Sequence, residues 1–319
     1  MDNEENNDPM TPQKPRMSEG HVQRTDLLSD ADLLGLLEKR EHQFRKKRMT
    51  GGQAVRWLFS VLVLSAILLQ GAVWSIVEAE SSQPTFSNET AMRQWMTDKL
   101  GVREGTFVFR YAGDTAKLTK MLTSAIQHAV YSDPFIRYNV SRYSIQWKGT
   151  TEDAVVNIYV DYRETYEQYQ FVREEARRIV REEMPEDLDE TATVRWIHDY
   201  LIIRLAYDEE LESFTAYEAL QTGVTVCQGY ALLMQAMLEE AGIPSVVVEG
   251  RAGGTLHAWN MVQVDGLWYH VDATWNDPTP DREGAVRYTY FMLSDEEMQR
   301  DHQWDALKTP RADQAWTAR

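Results

Sequence analysis

GVTVCQGYALLMQAMLEEAGIPSVVVEG, Gly223 to Gly250, contains the only cysteine of the 319-residue chain. From Gln228 to Ala241 its apolar residues recur at helical spacing (Tyr230, Leu233, Met234, Met237, Leu238, Ala241). Gly242 suits the position just past a helix end and Pro244 bars continuation. The stretch predicts a helix followed by an extended run, with Cys227 at or just before the first turn. Unpaired N–H groups there favour an anion such as a thiolate. A helix terminus supplies about 0.3–1 kcal/mol, up to ~2, whereas one pKa unit is worth about 1.4 kcal/mol. Bringing a thiol down from its ordinary ~8.5 therefore requires a cationic imidazole as well. Without one, Cys227 is a small inert core residue, the commoner fate of a lone thiol.

Seven histidines compete for that role. His21 and His42 precede a long apolar run, and His128, His198 and His302 stand in no supporting pattern. His198-Asp199 resembles the pair used by metal phosphohydrolases, but one such pair on a helix is a weak signal. The informative stretch is HAWNMVQVDGLWYHVDATWND, His257 to Asp277. Asp265-Gly266 between alternating runs signals a two-residue hairpin. Pairing Val264 with Leu267 and counting back sets Trp259 opposite Asp272 and His257 opposite Thr274. His257 and Asp272 become diagonal neighbours on one face, about 7–8 Å apart, within reach of a carboxylate bonding an imidazole N–H. His270 shares that face, opposite Met261. Cysteine acyl-transfer chemistry then makes Cys227 the nucleophile, His257 the general base and acid, and Asp272 the group that orients the imidazole.

Outward from this centre the chain divides into four. Residues 1–54 read as a cytoplasmic, polar, disordered tail, with an amphipathic segment from Leu27 to Phe44 and a basic cluster at Arg45–Arg48. The uncharged run Trp57–Val77 (21 residues) would be about 31 Å long as a helix, matching a ~30 Å hydrocarbon core, so 55–78 is expected to span a membrane. Lys and Arg precede it and Glu78 and Glu80 follow, which places the N-terminus in the cytoplasm and the remainder outside. A retained anchor is favoured over a secretory signal cleaved after the VEA at 77–79. Residues 86–186 predict a small α+β domain: a strand at 105–111, a helix at 114–130, paired strands at 142–147 and 154–162, and a helix at 166–184 stopped by Pro185. It carries two glycosylation sequons, at Asn88 and Asn139. Residues 187–319 hold helices at 193–205 and 214–220, the cysteine helix and the hairpin. A net charge of −17 argues against nucleic acid or an anionic lipid surface as a general partner.

From Thr193 to Asp277 the chain resembles the transglutaminase-like superfamily, which shares the papain-like cysteine-protease fold. The resemblance is carried by IHDYLIIRLAYD, TAYEALQTGVTVCQGYALLMQAMLEEAGIP and HAWNMVQVDGLWYHVDATWND, in that order. It implies an α+β fold in which the cysteine helix packs on an antiparallel sheet. It also implies a Cys227, His257, Asp272 triad and catalysis without metal or organic cofactor. Members of the family cross-link Gln to Lys, hydrolyse peptide or amide bonds, or have lost activity and serve as binding modules. The expectation is a membrane-anchored, extracytoplasmic thiol enzyme acting on amide bonds of proteins or peptides. A cysteine protease or amidase of envelope peptides and a catalytically silent interaction module are the rivals. The Cys227 N–H is the expected oxyanion donor, with Gln221, Tyr207 and Tyr217 competing to be the second.

Overall fold

The computed structural model describes residues 83–279 and 284–317. The polar tail at 1–54 and the apolar run at 55–78 lie outside these residues. Among the described residues no helix is long and apolar enough to cross a membrane. Two units are distinguished, one of residues 83–132 and 140–161, the other of residues 133–139 and 162–317.

In the first unit, alternation builds the sheet. Strand β2 (Thr106–Ala112) buries Phe107, Phe109 and Tyr111, and β4 (Asp153–Tyr162) buries Ala154, Val156, Ile158 and Val160. The two pair antiparallel, with Phe107 opposite Ile158 and Phe109 opposite Val156. Strands β1 (Thr85–Phe86) and β3 (Val140–Gly149) complete the order β1-β2-β4-β3. Helices α1 (Glu89–Gly101) and α2 (Leu118–Val130) pack on each other. The sequence reading did not isolate α1; Asn88 starts it, its side chain accepting from the Ala91 N–H at 3.0 Å.

The second unit includes residues on both sides of the boundary expected at 186/187. Helix α4 (Tyr166–Glu182) joins the core around the cysteine helix through Val172, Ala176, Ile179 and Val180, and the short α3 (Pro134–Arg137) joins through Phe135. Periodicity identifies a helix's apolar stripe but not which core receives it. Arg173 fastens α4 to the end of the cysteine helix, at 2.5 Å from Glu239 and 3.2 Å from Glu240. Asn139, the second sequon, is 3% exposed, and its Oδ1 accepts from the Arg163 and Glu164 N–H groups at 2.9 and 2.7 Å. In the folded chain that amide is buried and committed to the backbone.

Helix α7 (Cys227–Glu240) is buried on every side from Gly229 to Leu238, as a helix apolar all round must be. Helices α4, α5 (Glu190–Arg204) and α6 (Ala216–Thr222) surround it together with strands β7 (Ser245–Ala252) and β8 (Thr255–Val264). Its end is a Schellman motif: Gly242 (φ +75°) donates to the Glu239 carbonyl at 3.2 Å and Ile243 to the Leu238 carbonyl at 2.9 Å. A short parallel pair, β5 (Ala206–Tyr207) and β6 (Val224–Thr225), leads the chain into it.

The sheet is antiparallel throughout, in the order β10-β9-β8-β7-β11, with β9 at Leu267–Val271, β10 at Phe291–Leu293 and β11 at His302–Trp304. Asp265 and Gly266 both have positive φ (51° and 77°), as a type I′ turn requires. The counted register holds from Val264–Leu267 to Asn260–Val271 and then stops. Asp272 instead gives its N–H to the Tyr290 carbonyl at 2.9 Å and caps α8 (Ala273–Asn276). The pairs Trp259–Asp272 and His257–Thr274 therefore do not form. Along β8, Ala258, Val262 and Val264 join the α7 core, while Trp259 and Met261 join a smaller one with Val248, Met298 and Ala312. Helix α9 (Asp295–Met298), β10 and β11 carry no periodic signal long enough to be read from sequence.

Candidate active site

The first turn of α7 fits closely against β6. A Cβ on Gly229 would fall 2.0 Å from Thr225 Oγ1, the hydroxyl that donates to the Ser213 carbonyl at 3.0 Å. Glycine there lets Cys227 begin the helix, partly exposed, with Val226 offering no side-chain cap. Burial by itself raises the Cys227 thiol. The charge and hydrogen bond of His257, with a bond from the Ala258 backbone, outweigh it and bring the thiol below its ordinary value.

His257 binds Asp272 through Nε2, at 2.7 Å from Oδ2, which leaves Nδ1 for the thiol. Burial lowers the imidazole, but the Asp272 charge and the Cys227 thiolate push it up to about 10. Asp272 is fully buried; burial raises it, yet the His257 charge and bonds from His257 and His302 hold it well below the usual carboxylate range. Its Oδ1 accepts from the Trp275 N–H at 3.0 Å. The three shifts describe one arrangement of thiolate, imidazolium and carboxylate. The structure thus brings together Cys227, His257 and Asp272, although the last is set by a helix cap rather than by a strand pair.

Aromatic side chains fix the imidazole plane. Trp259 stacks on His257 with centroids 5.8 Å apart and planes 19° apart. The indole is itself held, donating to His270 Nδ1 at 2.9 Å, while His270 Nε2 donates to Asp295 at 2.9 Å. His270 is therefore a neutral anchor for Trp259. His198 is likewise buried and satisfied, with Nδ1 on Asp199 at 2.8 Å and Nε2 accepting from the Asn276 amide at 2.9 Å. Both ring nitrogens of this histidine are used within the core. His128 sits exposed on α2, and His21 and His42 lie outside the described residues.

The sequence reading passed over His302. It is fully buried on β11, with Nε2 at 3.1 Å from Asp272 Oδ2 and Nδ1 at 2.6 Å from Asp301 Oδ1; Asp301 in turn accepts from the Tyr290 hydroxyl at 2.6 Å. The available signal was the alternation of His302 and Trp304, three residues with nothing to say which strand they join. His257, Asp272 and His302 bring ligand-type atoms within 4.8 Å of one another. Both histidines direct Nε2 at the same carboxylate oxygen, Asp272 Oδ2. Of the competing oxyanion donors, Gln221 is exposed on α6 and Tyr217 stands edge-on to Phe171 at 5.6 Å. Tyr207 pairs with Thr225, two residues before Cys227. Burial, reinforced by the Cys227 charge, raises its phenol and keeps it a proton donor.

A family profile described as the transglutaminase-like superfamily matches residues 173–273. Kyphoscoliosis peptidase of Mus musculus is 29% identical over 142 residues, covering 37% of this chain and 21% of the relative; the Homo sapiens protein matches to the same extent. The chain thus spans about a fifth of the length of those relatives. Among solved structures, a TGase is similar with a TM-score of 0.32 and 14% identity, over 53% of this chain and 51% of that one. The periplasmic domain of TgpA from Pseudomonas aeruginosa gives a TM-score of 0.28 and 18% identity, over 41% and 65%. The profile spans α7, the hairpin and the first residue after Asp272, and on that ground residues 173–273 belong to the transglutaminase-like superfamily.

Proposed function

We propose that this protein is a thiol-dependent enzyme that cleaves or transfers acyl groups at amide bonds of proteins or peptides. The observation that carries the proposal is the single cysteine, partly exposed at a helix start, beside an imidazole bound to a fully buried carboxylate. The Cys227 thiolate attacks the carbonyl carbon, forming the C–S bond and a tetrahedral oxyanion that the Cys227 N–H and Tyr207 hydroxyl stabilise. Collapse breaks the C–N bond, and the His257 imidazolium gives its Nδ1 proton to the departing amine. Neutral His257 then takes a proton from water or a second amine as that nucleophile attacks the thioester, and the thiolate leaves. Asp272 holds the imidazole throughout. The relatives' name, peptidase, favours water as the acceptor.

The proposal includes a membrane anchor at 55–78, with the N-terminus in the cytoplasm and the catalytic unit outside, supported by the apolar run and its flanking charges. The test is mass spectrometry of peptide libraries incubated with full-length protein, with and without a primary amine, against Cys227→Ala. Acid products identify a hydrolase, amine adducts a transferase. Products absent from both proteins, with an inert Cys227, would leave an interaction module.

A further inference from the structure

His302 reaches the site across an intervening strand. β11 pairs with β7, and β7 with β8, so the β8 and β11 backbones are about 9.5 Å apart. Between the two histidines, β7 presents Gly250, opposite His257, and Ala252, opposite His302, on the shared face. A Cβ at Gly250 would lie 2.2 Å from the Gln303 carbonyl oxygen and 2.7 Å from the Trp259 ring. Over this low stretch the rings of His257 and His302 come to 5.6 Å between centroids, both bonding Asp272 Oδ2. The other nitrogen of His302 meets Asp301. A neutral imidazole has one proton to donate. With carboxylates at both nitrogens, the two bonds exist together only when both nitrogens are protonated. The titratable groups facing His302 are His257 on β8, His270 on β9, Asp272 before α8, Tyr290 before β10, and Asp301.

We propose that Asp301 and His302 are a positioning pair for the thiol centre. Doubly protonated between two carboxylates, His302 fixes Asp272 in the orientation His257 needs and takes a share of its negative charge. The working row is then Cys227–His257–Asp272–His302–Asp301, and the inference rests on the thiol function proposed above.

The test uses full-length protein and two readouts. One is the rate of Cys227 alkylation by iodoacetamide from about pH 4 to 10; the other is the ring nitrogen NMR signature of His302. Two ring N–H protons on His302, one donated to each carboxylate, are expected, falling to one in Asp301→Asn. In His302→Phe the alkylation rate near pH 6 is expected to drop about tenfold or more, with the midpoint moving up, because a charge-assisted bond and a nearby cation are lost. His302→Gln restores part of the rate, since its amide still donates to Asp272. A single ring proton on wild-type His302, or a folded His302→Phe with the wild-type profile, overturns the proposal. Should His302→Phe not fold, Asp301→Asn decides: its side chain is 36% exposed and the swap is isosteric, so a merely structural role predicts an unchanged profile. A wild-type thiol titrating at its ordinary value and indifferent to His257→Ala would sink the thiol function and this pair together. A low-titrating wild-type thiol indifferent to changes at 301 and 302 would sink the pair alone.

Discussion

Asp272→Asn keeps the shape of the group at the centre of the site and removes its charge. The carboxylate accepts from His257 Nε2 at 2.7 Å, His302 Nε2 at 3.1 Å and the Trp275 N–H at 3.0 Å. Asparagine has one acceptor oxygen. If that oxygen keeps the cap on Trp275, the amide N–H groups confront two ring nitrogens that were donors, and each imidazole must lose a proton there or turn away. Bonds to charged groups contribute about 1.5–3 kcal/mol each, so losing two costs about 3–6 kcal/mol. With a neutral imidazole the cation beside the thiol is gone, and burial, opposed by the bond from the Ala258 backbone, moves the thiol upward. The alkylation profile of the single cysteine reads this directly: in Asp272→Asn the midpoint is expected to rise by more than about one unit. Under the proposed function, peptide turnover is expected to fall by about 10⁴, the scale set by the equivalent change in a serine triad. A folded Asp272→Asn whose thiol titrates as in the wild type would refute the reasoning.

Gly229→Ala places a methyl 2.0 Å from Thr225 Oγ1 and is expected to destabilise the fold by about 1–3 kcal/mol in urea titration, with Thr225→Ala relieving part of the loss. Acidity acts through Asp272, whose folded value lies below its ordinary 3.8: its contribution to stability is whole above about pH 4 and drains as pH falls through the lowered value. His257 works in the opposite sense, contributing fully below 6.5 and losing that contribution as pH rises through about 10. Thermal melts are therefore expected to be highest between about pH 4 and 6.5, with the acid loss smaller in Asp272→Asn. Arg173→Ala removes both carboxylate partners from the end of α7 and is expected to cost about 1–2 kcal/mol, less at high salt, by denaturant titration.

The parts of the site legible in sequence are those with local causes. Gly242 and Pro244 mark the end of α7, and Asp265-Gly266 sets the hairpin register because two positive φ angles select that turn. Counting from the turn put His257 and Asp272 on one face, although the ladder ends one residue before the pairing needed. The N-capping role of Asp272 competed with strand continuation and won, leaving the carboxylate in reach of the imidazole all the same. Non-local causes stayed hidden. Helix α4 shows its stripe but not its destination, the core around α7. His302 enters through a three-residue strand whose partner, β7, lies about 50 residues earlier and exposes no pattern complementary to it.

The shortness of β11 has a consequence for heat. Three residues pair at the outer edge of the sheet, on one side only, and they carry the group that bonds Asp272 from beyond β7. Edge pairings of this kind open with a small fraction of the free energy of global unfolding. Warming is thus expected to release His302 while α7 and the hairpin remain intact. Amide exchange at Gln303 and Trp304 should outpace that of β8, and thiol reactivity should fade below the melting temperature and return on cooling. The temperature ceiling of the thiol centre would then be set by the fraying of one strand end, well before the core gives way.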